Sequence, residues 1–239
     1  MSEVRVNGIV IGAKDFKEAD KIITIYTLER GIVYAKLAGV KKPNAKLKAA
    51  KELFCFAQFD LVSKGDFFSV TGANIIESFF CLSQDLEKFY GACNILEVLK
   101  VVGRENENNQ ILFLETLKAL DSIGFKGSDP KLVLVKFLIK IFEALGYDLS
   151  LNRCGKCSMP FSGKRFFSPA DGVVTCLACK GAGAVEISPQ VHSAMRLCQI
   201  TDFDKLSSLK LPAQAAAEAL SILTKNFEDK FDRKINITH

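Results

Sequence analysis

Two cysteine pairs constrain this chain more tightly than any other feature. Cys154-Gly-Lys-Cys157 and Cys176-Leu-Ala-Cys179 read as C-x2-C … C-x2-C with 18 residues between the pairs. Each pair can bend two thiolates onto one ion through a tight knuckle. Two knuckles brought together complete a tetrahedral all-sulfur site, the geometry zinc prefers. With Cys154, Cys157, Cys176 and Cys179 filling every position, water has no coordination site, so the expected cofactor is one structural zinc ion. Redox-active dithiols or incidental cysteines are the competing reading. Cys55, Cys81, Cys93 and Cys198 fall on apolar faces and read as buried small hydrophobes.

The compartment supports a metal over disulfides. The N-terminus has neither the basic nor the apolar region of a secretory signal, so the chain is expected in the cytoplasm, where thiols stay reduced. Its most apolar helical stretch, Leu132 to Phe142, is interrupted by Lys136 and Lys140, and no membrane span is expected. With 239 residues, 49% hydrophobic and 25% charged, the chain can bury a sizeable core, which excludes disorder and collagen-like repeats.

The zinc segment sits late in an α+β, multidomain organisation. Val4–Ile11, Lys21–Leu28, Ile32–Ala38, Leu53–Val62 and Phe67–Ile76 are rich in β-branched and aromatic residues and are separated by polar or glycine-bearing breaks. Glu29-Arg30-Gly31 and Ser63-Lys64-Gly65-Asp66 read as hairpin loops. Five short strands in residues 1–80 fit a closed OB-fold β-barrel, with an SH3-like barrel or open meander as the rival. From 81 to 152 the period becomes helical. One face is marked by Leu86, Phe89, Tyr90, Cys93, Leu96 and Val101, a second by Ile111, Leu114, Leu117 and Leu120, and a third by Leu132, Val135, Ile139 and Phe142. Asp129-Pro130 and Ser188-Pro189 are N-cap and N1 pairs, Gly146 a C′ residue, and Pro212 opens a helix towards Phe231. The reading is thus a barrel over 1–80, a first helical part over 81–152, a four-cysteine zinc-ribbon-like insertion over 153–185 and a closing helical part over 186–239.

Charge favours an anionic partner at both ends. Net charge is +3 over residues 1–80, −2 over 81–152 and +4 over 153–239. Lys36, Lys41, Lys42, Lys46, Lys48 and Lys51 occupy sixteen residues without an acid, in the connection between the third and fourth strands. Such a loop beside a barrel tracks a phosphate backbone and releases counterions on binding; a solvated loop is the bland alternative. If Ile23 and Ile25 face inward opposite Val33, Ala35 and Leu37, then Thr24, Tyr26, Tyr34 and Lys36 face outward, and the tyrosines can stack on bases. Lys14, Lys17 and Lys21 lie in or beside the first inter-strand loop, offset by Asp15, Glu18 and Asp20, and Arg30 tips the next hairpin.

Signals of catalysis are missing. There is no phosphate-cradling glycine motif and no Ser/His/Asp set. A zinc deaminase would need an H-x-E, whereas His192 and His239 stand alone and Arg153 precedes the first pair. His192 reads as a half-exposed surface residue.

In this order, a basic barrel, a helical bundle, a four-cysteine insertion and closing helices, the chain resembles the bacterial RecO family of recombination mediators over nearly its whole length. The carriers are Gly8-Ile-Val-Ile, Glu18-Ala-Asp-Lys-Ile-Ile-Thr, Glu29-Arg-Gly, Gly39-Val-Lys-Lys-Pro-Asn-Ala-Lys-Leu, Leu145-Gly-Tyr, Arg153-Cys-Gly-Lys-Cys and Phe167-Ser-Pro-Ala-Asp-Gly-Val-Val-Thr-Cys. The resemblance implies a non-enzymatic DNA-repair function. Such a protein binds single- and double-stranded DNA, anneals complementary strands and helps load recombinase onto strands coated by single-stranded-DNA-binding protein, together with RecR, in association with the nucleoid. It also implies that the turn at Lys41, Lys42 and Lys46 is the family's basic loop and that the four cysteines match its zinc-bearing members. Lysine here, where relatives often have arginine, keeps phosphate attraction without bidentate hydrogen bonding. Charge alone equally admits an RNA- or transcription-associated barrel and zinc-ribbon module. The apolar helical middle with its scattered lysines also suits an acidic apolar peptide.

Overall fold

A computed structural model describes residues 3–64, 67–169 and 171–238. Gly65 and Asp66 of the expected 63–66 turn, Ala170 and His239 lie outside the described residues. The first five strands, β1 (Glu3–Phe16), β2 (Asp20–Thr27), β3 (Gly31–Leu37), β4 (Phe56–Lys64) and β5 (Phe67–Glu77), close into a barrel in the order β1-β2-β3-β5-β4. Antiparallel ladders join β1 to β2 and β4, β2 to β3, and β4 to β5. A short parallel pairing, Ala35 with Phe68 and Lys36 with Ser69, closes the ring. The closed five-stranded ring bears out the expected barrel over the open meander. Val6, Val10, Ile23, Ile25, Val33, Ala35, Leu37, Phe59 and Leu61 fill the lumen, as the alternation requires.

The outer wall is not free along its length. Ile9 and Ile11 face outward on either side of inward-facing Val10, and a bulge between Val10 and Gly12 interrupts the ladder there. With Tyr26, Ile32 and Phe54 they join a second core, shared with α1 (Leu86–Val102), α2 (Gln110–Gly124) and α3 (Pro130–Ala144). Tyr26 is therefore not an outward stacking residue: it is fully buried, with its ring 6.1 Å from that of Phe113 on α2. The pleat puts Tyr26 outside the lumen as expected, but the bundle covers that part of the wall. Gly31 fixes the joint. Its φ of +64° suits glycine, and a Cβ there would strike the carbonyl oxygens of Arg104 and Glu107, while Ile32 N–H donates to Arg104 O at 2.9 Å.

Helix ends follow the local signals. Asp129 caps α3 by accepting from Lys131 N–H with Pro130 behind it, and Gly146 follows with φ +81°. Ser188 accepts from Val191 N–H at the start of α4 (Pro189–Ile200), and α5 runs Ala213–Phe231 after Pro212. The buried faces of α1 and α2 differ from expectation. Leu96 and Leu120 are buried as expected, but Leu86, Tyr90, Ile111 and Leu114 are exposed, and the cores of these helices also take in Gly91, Ala92, Ile95 and Leu99, and Leu112, Phe113, Ala119 and Ile123. Gly91 lets Pro130 seat directly on α1, and Phe113 is drawn to the barrel wall, so the helices are rotated to leave Leu86, Tyr90, Ile111 and Leu114 outside. Helix α3 is central and buried nearly all round, Lys136 included. The Lys136 ammonium donates to the Cys198 carbonyl at 3.2 Å at the end of α4 and lies 5.0 Å from the Phe203 ring.

The four-cysteine segment forms a three-stranded sheet, β6 (Arg165–Ser168), β7 (Val173–Cys176) and β8 (Val185–Ile187), in the order β7-β6-β8. Phe167, Val174 and Ile187 enter the same core as Phe227 of α5. Among the described residues no helix is long and apolar enough to cross a membrane. Cys55 and Cys198 are buried as expected, whereas Cys81 and Cys93 are half-buried.

Tyr26 tests the joint. Its hydroxyl is buried without a hydrogen-bond partner among the described residues. Tyr26→Phe removes that unmet group, so thermal melting is expected to stay unchanged or rise, with nucleic-acid affinity unaltered. Tyr26→Ala opens a cavity and costs about 3–5 kcal/mol. A fall in affinity for Tyr26→Phe at unchanged stability would return this residue to the binding surface.

Candidate nucleic-acid interface and metal centre

Register places the polar outer residues of the sheet that the bundle leaves open. Gly12 pairs with Thr24 and Thr24 with Tyr34; Lys14 pairs with Ile22 and Ile22 with Lys36; Phe16 pairs with Asp20. Alternation therefore sets Lys14, Phe16, Ile22, Thr24, Tyr34 and Lys36 on one outer face, beyond the covered end marked by Ile9, Tyr26 and Ile32. Lys14 lies within β1 and not in a loop, because that strand continues to Phe16. The turn carrying Lys17 and the connection carrying Lys41, Lys42, Lys46 and Lys48 leave the same end of these strands, as Lys41 N–H donating to Ala19 O at 3.0 Å shows. Arg30 sits at the opposite end of β2 and β3, next to the bundle, and is not brought together with these lysines.

The acid-free run in the sequence acquires acids in the fold. Lys41 and Lys21 share Asp15, at 3.0 and 2.9 Å, and Lys36 reaches Asp20 at 2.7 Å. Asp20 also accepts from Gly39 N–H at 2.7 Å, which anchors the start of the basic connection. Both carboxyls are held below the ordinary carboxylate range, Asp15 by its hydrogen bonds to Lys21 and Lys41, Asp20 by those to Lys36 and Gly39 N–H. Among the described residues Lys14, Lys17, Lys42, Lys46 and Lys48 make no ion pair and are exposed. The positive field of this end therefore comes chiefly from these five.

Phe16 went unnoticed in the sequence because the first strand reads as ending at Ile11. It is 37% exposed and Tyr34 is 40% exposed. The ammoniums of Lys17 and Lys36 each lie 5.6 Å from the Phe16 ring centre.

The four cysteines of the second candidate site come together. Their Sγ atoms all lie within 4.8 Å of one another, with Cys157 and Cys176 at 3.9 Å. Four thiolates bonded to one ion at about 2.3 Å stand about 3.8 Å apart, so the set fits one tetrahedral metal ion. The first knuckle is tight: Ser158 N–H donates to Cys154 O at 2.8 Å, and a Cβ on Gly155 would meet Val173 at 2.6 Å. The second begins where β7 ends, at Cys176, whose N–H donates to Cys154 Sγ at 3.4 Å. Burial raises the Cys154 thiol, but N–H groups of Cys157, Cys176 and Lys156 outweigh it and bring it to about 6. Hydrogen bonds to Cys157 and Cys176 push Cys179 up to about 12, since four adjacent thiolates need a cation among them. A metal ion would supply that charge.

His192 is not the half-exposed surface residue expected. It is 7% exposed, its Nε2 donates to Leu151 O at 2.8 Å, and its ring meets Phe161 edge-on. The sequence pattern near a helix start could not show that the cysteine segment folds over it.

His192 carries a pH dependence. Burial, with Arg165 and Arg196 nearby, lowers its pKa below 6.5, so the unfolded chain takes up this proton first. The stability of the neutral ring is complete above pH 6.5 and is lost as pH falls through the lower folded value. His192→Gln is expected to flatten the fall in melting temperature below pH 6.5 relative to the parent chain; parallel curves would show that His192 titrates normally.

Comparison with known proteins gives the family of the chain. A family model described as Recombination protein O N terminal matches residues 1–79, and one described as Recombination protein O C terminal matches residues 83–236. The chain is 30% identical to the DNA repair protein RecO of Caldicellulosiruptor bescii, over 88% of this chain and 86% of that one. It is 28% identical to that of Symbiobacterium thermophilum, over 98% and 95%, and 27% identical to that of Desulforamulus reducens, over 100% and 93%.

Proposed function

The chain belongs to the RecO family of DNA repair proteins, and from that premise we propose that it is a non-enzymatic mediator of recombinational repair. It binds single- and double-stranded DNA through the open end of the barrel and anneals complementary strands. With RecR, it helps load recombinase onto strands coated by single-stranded-DNA-binding protein, at the bacterial nucleoid in the cytoplasm. The observation that carries this reading is the group of five exposed, unbridged lysines, Lys14, Lys17, Lys42, Lys46 and Lys48, at the end of the sheet that the bundle leaves uncovered.

Annealing at such a surface needs no bond-making chemistry. Two strands repel because each carries a phosphate charge every 3.4 Å or so, and lysine ammoniums that displace condensed counterions lower that repulsion. Base pairing then drives the product. Lysine suits the task as a mobile point charge that lets a strand slide and hop. Lys21, Lys36 and Lys41 contribute less until a phosphate displaces Asp15 or Asp20. Arg30, beside the bundle, has no part in this surface.

The metal is zinc, one ion per chain, held by Cys154, Cys157, Cys176 and Cys179. It supplies cross-linking of two turns and charge neutralisation, without an open position for substrate. Because Phe167, Val174 and Ile187 lie in the main core, a bound ion would stabilise more than its own loop.

ATP-free annealing of two complementary labelled strands, followed across a salt series, tests the reading. Acceleration that fades with salt is expected; no acceleration by folded protein would overturn it. The triple variant Lys42→Gln, Lys46→Gln, Lys48→Gln is expected to melt normally and to lower the slope of log affinity against log salt by about 2 for single strands. Asp15→Asn, which frees Lys21 and Lys41, is expected to raise affinity and steepen that slope. Cys154→Ser is expected to lose the bound zinc and more than about 3 kcal/mol of stability, a fall in Tm of about 10 °C. A zinc-free variant with unaltered melting would refute the structural ion.

A further inference from the structure

We infer that Phe16, together with Tyr34, forms a base-stacking platform that makes the open end of the barrel selective for single-stranded DNA. The inference rests on the barrel being the DNA-binding surface and assigns to it residues and a strand preference. Phe16 ends β1 on the outer face, exposed, where an apolar ring has no packing role in either core. The carboxylate nearest in register, Asp20, is engaged by Lys36 and Gly39 N–H, which leaves Glu18, exposed in the following turn and without an ion pair among the described residues, as the one free anion an incoming strand meets near this ring.

The platform has defined extent. Phe16 and Tyr34 are four residue positions apart along the sheet and two strands apart across it, about 13 Å by about 10 Å. Between them lies the row Lys14, Ile22, Lys36, a half-buried apolar side chain flanked by two ammoniums. Beyond Tyr34 the same face is closed by the bundle over Tyr26 and Ile32. Rings at the two corners with cations between and beside them match the alternation of base and phosphate in an extended single strand. Lys17, 5.6 Å from the Phe16 ring centre and in no ion pair among the described residues, can reach a phosphate beside a base stacked there, while Lys36, at the same distance from the ring, stays on Asp20. A duplex keeps its bases inside its own stack and offers these rings nothing, although its phosphates still meet the lysines.

The chain contains no tryptophan, so Phe16→Trp places the only indole on the platform. A thirty-nucleotide oligothymidine is expected to quench its emission on binding, while a duplex of equal length, bound as judged by anisotropy of labelled DNA, leaves the emission unchanged. Phe16→Ala and Phe16→Leu are both expected to lose roughly 5- to 150-fold in single-strand affinity with duplex affinity retained, and Phe16→Trp to restore it. Oligothymidine that binds without quenching, or a Phe16→Leu variant with parental single-strand affinity, would overturn the platform while leaving DNA binding intact. Parent protein that binds neither form of DNA at low salt would instead remove the premise.

Discussion

Burial of part of the barrel's outer wall against the helical bundle determines what the rest of the molecule can do. Ile9, Ile11, Tyr26, Ile32 and Phe54 sit on the outside of a closed barrel yet belong to the core that also holds α1, α2 and α3. Burying one such side chain contributes on the order of 1.5–3 kcal/mol, so this joint is worth a large share of a typical domain's stability. It fixes the barrel rigidly to the bundle. It also divides the outer face of β1, β2 and β3 into a covered end and an open one, and every candidate nucleic-acid contact except Arg30 and Tyr26 falls at the open end.

The second constraint is electrostatic and works within that open end. Asp15 and Asp20 organise the lysines nearest the sheet, and Asp20 also holds the Gly39 N–H, so the root of the basic connection is fixed while its outer lysines stay free. Exposed ion pairs of this kind contribute little to stability. Their effect is on where the field is strong. An anion approaching Lys42, Lys46 or Lys48 would meet a bare charge, whereas one approaching Lys41 would have to compete with a carboxylate already in place.

What could be read in the sequence was local. The cysteine spacing points to a four-thiolate cluster because each C-x2-C turn forms locally, while β7, bonded to the first knuckle through Gly155 N–H and Val174 O, brings the two turns together. Asp129-Pro130 and Ser188-Pro189 specify helix starts because caps are made within one turn. What could not be read depends on neighbours distant in sequence. Tyr26 and Tyr34 are equivalent by pleat, and only the bundle separates the buried one from the exposed one. Leu86 and Ile111 look like core by hydrophobicity, but Gly91 beneath Pro130 and Phe113 beneath the barrel wall set the rotation of their helices. Phe16 was hidden by the bulge near Gly12, which breaks the two-residue period and makes β1 seem to end early.

Lys136 and His192 show how the closing part of the chain is tied to the four-cysteine segment without sharing its chemistry. Lys136, in the most buried helix, satisfies the last carbonyls of α4, and His192, near the start of α4, holds Leu151 just before the first cysteine knuckle. One helix is thus fastened at its C-terminal end to the bundle core and near its N-terminal end to the four-cysteine sheet. A buried lysine and a buried histidine are costly to desolvate, and each is offset by a carbonyl that would otherwise lack a partner. The four-sulfur centre, the bundle and the covered wall of the barrel are consequently parts of one packed body. The open end of the barrel can carry exposed lysines and rings because Phe16, Tyr34 and these lysines belong to neither buried core.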